Sequence, residues 1–69
     1  MNLELIEKNI NNIIEELEKE VMEVLMDESL GKGDTNLRMK PLASTKQILL
    51  NALDSIKMVD KLNKEELDK

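Results

Sequence analysis

Residues 2–28 read NLELIEKNINNIIEELEKEVMEVLMDE, and the placing of the aliphatic residues in this stretch decides the fold class. With Ile10 at zero and an advance of about 100° per residue, Leu3, Ile6, Ile13, Ile14, Leu17, Val21, Val24 and Leu25 all fall within roughly 60° of it. Glu4, Lys8, Glu15, Glu16, Lys19 and Glu23 take the opposite side, and Glu15 with Lys19 has the favourable i, i+4 order. One apolar stripe backed by one charged face predicts an amphipathic helix over about residues 2–28. The spacing 3, 6, 10, 13, 17 is heptad-like, but the step through Val21 to Val24 inserts an extra turn, which predicts straight bundle packing rather than a sustained coiled coil.

Downstream, the periodicity fails between Ser29 and Lys40, where Gly31 and Gly33 bracket Lys32 as if to cap and turn the chain. A loop over about residues 29–40 is expected. Pro41 biases Lys40 toward extended backbone and suits the first turn of a helix, and Ser44 with Gln47 resembles a capping box, so the second helix is expected over about 41–65. Around Ala52, the residues Thr45, Ile48, Leu49, Ile56 and Val59 share a face, with Leu42, Leu53 and Leu62 on its flanks. Ala52 and Ser55 are small enough to let another helix approach closely, while Asn63 and Glu66 mark the fading of the apolar contact and residues 66–69 are expected to fray. The chain therefore reads as one all-α domain over residues 1–69, an antiparallel hairpin of two long amphipathic helices.

Such a hairpin is short of core. A 69-residue chain buries only about 60% of the surface its unfolded form exposes and needs a staple. Cysteine and histidine are absent, which removes disulfides, zinc and thiolate chemistry, and the lack of Phe, Tyr and Trp leaves an aliphatic core with no stacking platform for bases. Self-association is the staple that remains, and a dimer forming a four-helix bundle is the economical form of it. The expected self-association interface is Ile6, Ile10, Ile13, Ile14, Leu17, Val21, Val24, Leu49, Ala52, Ile56 and Val59. A charged content of 36% suits solvent-washed helices, no apolar run approaches a membrane span, and Met-Asn-Leu-Glu-Leu has no signal-peptide character. The expected setting is the cytoplasm.

Charge is uneven along the chain: residues 1–28 sum to −7, residues 29–47 to +3 and residues 48–69 to −1, for a net of −5. In a hairpin this brings Lys40 and Lys46 toward Asp27 and Glu28, where exposed pairs set register at about 0–1 kcal/mol each. The functional alternative takes Lys32, Arg38, Lys40 and Lys46 as phosphate contacts of a nucleic-acid accessory protein, less favoured because the chain is acidic overall and has no aromatic or Arg-rich readout residues. Met22, Met26 and Leu50 lie off the main stripes and, with Leu30, Leu37 and Met39, are expected at the loop end, either as a cluster beneath the loop or as an adaptable surface for another protein.

Catalytic constellations are weak. Glu4 with Glu7, Glu15 with Glu18, Glu20 with Glu23, and Glu65 with Asp68 have the spacing of magnesium-holding carboxylates, but such pairs arise by chance in a glutamate-rich helix. Gly31-Lys32-Gly33-Asp34-Thr35 does not have the spacing of a phosphate-binding loop, and Ser44 with Thr45 has no histidine partner. No catalytic residue, metal or cofactor is expected. The run Ser44-Thr45-Lys46-Gln47-Ile48-Leu49-Leu50-Asn51-Ala52-Leu53 is loosely similar to the start of a core helix in phage terminase small subunits, which implies a ring-forming hairpin, although that family's N-terminal helix-turn-helix has no counterpart here. Leu53-Asp54 is similar to a dipeptide of the small helical-hairpin sporulation phosphatases, where Ser-Gln stands in place of Asn51-Ala52.

Overall fold

The computed structural model describes residues 1–67, and those residues form two helices that pack against each other with no strand: α1 (Leu3–Leu25) and α2 (Lys32–Leu67). The fold is the expected all-α antiparallel hairpin. Asn2 caps α1, its side-chain oxygen accepting the Leu5 amide at 3.1 Å, and Glu4 places a negative charge in the first turn, where the helix dipole favours it.

The connection is half the expected length and is made differently. α1 stops at Leu25, three residues early, because the Asp27 carboxylate folds back to accept the Ser29 amide at 3.0 Å and the Ser29 hydroxyl, drawing the chain out of helical register. Those two hydrogen bonds, the hydroxyl's first, hold the Asp27 carboxyl below its ordinary range, with a smaller contribution from the Arg38 guanidinium. Neither glycine adopts positive φ, so neither is a left-handed cap. The Gly31 carbonyl instead accepts the Thr35 amide at 2.9 Å and opens α2.

α2 thus begins nine residues before Pro41, at Lys32, and carries Pro41 inside it. The missing amide leaves the Leu37 carbonyl without its helical donor, but Pro41 and Leu37 are both exposed, so solvent can take that place. Ser44 and Gln47 are accordingly mid-helix, and Gln47 donates to the Asn51 side chain at 3.0 Å instead of closing a capping box. At the far end the helix continues through Leu67. Asp68 and Lys69, the end of the expected frayed tail, lie outside the described residues.

The packing follows a seven-residue repeat. In α1 the places turned inward are Leu3, Glu7, Ile10, Ile14, Leu17, Val21 and Val24. In α2 they are Thr35, Met39, Leu42, Lys46, Leu49, Leu53, Ile56 and Asp60, all buried or half-buried. Both series alternate steps of four and three without a break, so the seam is the sustained heptad that the apolar residues alone do not reveal. Glu7 and Lys46 hold two of its places by laying their stems across the seam and turning their charges outward, and Asp60, only 14% exposed, holds a third with its carboxylate paired to Lys64 at 3.0 Å.

Two ion pairs fix the register across the hairpin: Lys57 Nζ meets Glu7 Oε1 at 3.1 Å and Lys46 Nζ meets Glu18 Oε1 at 3.0 Å, residue numbers that in both cases add to 64. The molecule is 60 × 18 × 9 Å, one helix deep. Among the described residues only Ile14 and Leu53 are buried, one from each helix near the middle of the seam. Domains ordinarily close two packed layers around a core, and this hairpin is a single layer with both broad faces open.

Candidate functional site

Labelling the repeat a to g, with Glu7, Ile14 and Val21 at a in α1 and Met39, Lys46, Leu53 and Asp60 at a in α2, sorts the two open faces. Reversing one helix against the other puts the two e rows on one flank and the two g rows on the other. The e flank holds both interhelical ion pairs, since Glu18 and Lys57 are e residues. The g flank is Ile6, Ile13 and Glu20 of α1 beside Val59, Ala52 and Thr45 of α2, with Ile48 and Leu62 at the c places just outside. Ile48 is 65% exposed, Val59 61%, Leu62 53% and Ile13 49%. These four branched side chains share one face in a chain that has almost no interior.

The residues expected to form a single self-association stripe therefore divide in two. Ile10, Ile14, Leu17, Val21, Val24, Leu49 and Ile56 sit in the seam within the chain, whereas Ile13, Ala52 and Val59 are exposed on the g flank and Ile6 stands half-buried between them. Ile48 and Leu62 are the members of this face that the sequence-derived set omits. Their signal is the step 45, 48, 52, 55, 59, 62, a second four-and-three series beside the first.

The loop-end set also divides. Leu30 and Met39 turn into the hairpin, while Met22, Met26 and Leu37 remain outside, since a connection of residues 26–31 is too short to fold back over them. Leu50 is not at the loop end: it lies eleven residues beyond Met39, about 16 Å along α2 at 1.5 Å per residue. An open groove of about 540 Å³ runs along this end of α2, lined by Gly33, Asn36, Leu37, Met39, Lys40 and Ala43.

Of the four cations considered for phosphate, Lys46 is half-buried and paired to Glu18, while Lys32, Arg38 and Lys40 are exposed. Lys46 pairs with Glu18 rather than with Asp27 or Glu28 at the loop end. One carboxylate from each of two pairs has a structural role, and Asp68 of the last pair lies outside the described residues. Glu7 and Glu18 bridge the helices, and Glu16 takes Lys19 at 3.2 Å where the i, i+4 rule points to Glu15. Among the described residues no three acidic side chains gather as a cation site, and no helix is long and apolar enough to cross a membrane. No protein-family model, no curated protein and no solved structure matches this chain.

Proposed function

We propose that the protein is a non-catalytic structural or regulatory interaction module of the cytoplasm that acts by self-association, two hairpins closing into a four-helix bundle. One observation carries this reading. The chain exposes 5696 Å², whereas a compact protein of its 7.9 kDa exposes roughly 4,400 Å², an excess of about 1,300 Å². A standard interface removes about 800 Å² per partner, more than half of that excess. The g flank supports the reading further, because burial of its aliphatic middle, Ile6, Ile13, Ala52 and Val59, returns roughly 25 cal/mol per Å² of apolar area. The nucleic-acid alternative has less support, with Lys46 already paired to Glu18 and the chain acidic overall.

The test is absolute mass by light scattering across a concentration series, for the wild type and for Val59→Asp, with the thermal midpoint followed in parallel. The expected wild-type mass is twice 7.9 kDa, with a midpoint that rises with concentration as linkage requires. Val59→Asp is expected to halve the mass at the same concentration. A wild-type monomer with a concentration-independent midpoint, or a Val59→Asp chain that keeps the dimer mass, overturns the reading.

A further inference from the structure

The g row of α2 is Arg38, Thr45, Ala52, Val59 and Glu66, one residue every seven, and read outward from Ala52 it is complementary to its own reverse. We propose that the second copy lies antiparallel on the g flank, with the two connections at opposite ends of the bundle, a two-fold axis at the level of Ala52 and Ile13, and Arg38 of each copy facing Glu66 of the other. This rests on the self-association proposed above and assigns it a face and a direction.

The face follows from what each flank already holds. On the e flank Glu7, Glu18, Lys46 and Lys57 are engaged with one another, and covering them would desolvate charges that are now partly in water. On the g flank the middle is aliphatic. The register that joins residue 7 to 57 and 18 to 46 sets Ile13 within one residue of the level of Ala52, and Ile6 within one residue of the level of Val59. The two helices thus present one continuous patch whose centre is a large residue of α1 beside a small residue of α2.

The direction follows from charge and size. Turned end for end about Ala52, α2 sets Thr45 against Val59 of the other copy, side chains of nearly equal shape, and Ala52 against Ala52, where the absence of bulk lets the backbones come close. Ile48 and Ser55 then fall opposite each other in the c row, a large side chain against a small one. At either end the row closes with Arg38 against Glu66, opposite charges. The other two-fold stacking, with both connections at one end, lays each α1 on the α2 of the other copy, so the α2 row would face Ile6, Ile13 and Glu20 instead of its own reverse. A closed two-fold pair has identical patches in contact, which is the condition a self-complementary row meets.

Because the chain has no cysteine, single cysteines report proximity directly. The experiment treats Ala52→Cys, Thr45→Cys and Val59→Cys, singly and mixed, with a short bismaleimide, and measures the mass of each chain in solution alongside. Ala52→Cys is expected to join to itself. Thr45→Cys and Val59→Cys are expected to join only in the mixture, since two copies of either one lie about 21 Å apart along the bundle at 1.5 Å per residue. A dimer in which Thr45→Cys joins to itself, or in which the mixture gives no product, overturns this face and direction while leaving self-association standing. A wild-type monomer overturns both.

Discussion

On one flank of the hairpin Glu7 reaches Lys57 and Glu18 reaches Lys46; along the same stretch of the other stand Ile6, Ile13, Ala52 and Val59 with no charge among them. Both flanks border the same seam and come from the same two helices. The charged flank completes itself within the chain, and its work is register: pairs at 7 with 57 and 18 with 46 fit one alignment, and a slip of one heptad breaks both. The aliphatic flank completes nothing within the chain. Among the described residues only two side chains are buried, while Ile13, Ile48, Val59 and Leu62 stand exposed on this face, so under the proposal the difference between the flanks separates what folds the hairpin from what it offers to a second copy.

The comparison breaks most visibly if the seam and the g flank respond alike to charge. Leu53→Asp places a carboxylate at the best-buried position, at a cost of several kcal/mol, on the order of the whole stability expected for a domain this size. The helical circular dichroism signal is expected to collapse at every concentration. Val59→Asp, six residues away but on the open flank, should instead leave a helical signal that concentration can restore. Equal collapse of both would mean that the flank belongs to the core of the single chain.

This division also explains what the sequence shows and what it hides. α1 is legible because its apolar residues lie on one arc, and Ile14 at its centre is buried. α2 is much less amphipathic, because it carries two apolar rows roughly 110° apart at about 100° per residue, one for the seam and one for the flank. Lys46 and Asp60 occupy seam places, which moves the apolar centroid away from Leu49 and Leu53 toward Ala52, so a stripe centred on Ala52 blends fold with surface. The start of α2 is hidden for a related reason. Thr35 and Met39 continue the seam toward the loop, but a threonine and one methionine give little periodic signal beside two glycines and a proline. The charged members of the seam, Glu7 above all, look like solvent face until the partner helix supplies Lys57.

Pro41 offers a smaller but cleaner probe of that hidden stretch. An interior proline costs about 3 kcal/mol relative to alanine in a helix, reduced here by solvent access to the freed carbonyl. Pro41→Ala is therefore expected to stabilise the protein by about 1–3 kcal/mol in urea denaturation with unchanged mass, since Pro41 lies outside the central contact of the g flank. If the helix truly began at Pro41, the same substitution would remove a favourable first-turn residue, and a loss of stability would place the start of α2 there.

The smallest effect belongs to the charged flank, where it separates the two roles most sharply. Lys57 and Glu7 are more than a third exposed, so their pair is screened and worth at most about 1 kcal/mol. Lys57→Glu sets two carboxylates together and is expected to lower stability by about that amount, more at low salt than at high, because exposed charges interact over a screening length of about 10 Å at 0.1 M. Adding Glu7→Lys recreates the attraction with its sense reversed and should recover most of the loss. Through all three chains the mass in solution is expected to stay constant, since in the proposed dimer this flank points away from the second copy. A change in mass on Lys57→Glu, restored by Glu7→Lys, would instead put the ion pairs in the interface and leave the aliphatic flank without the role argued for it.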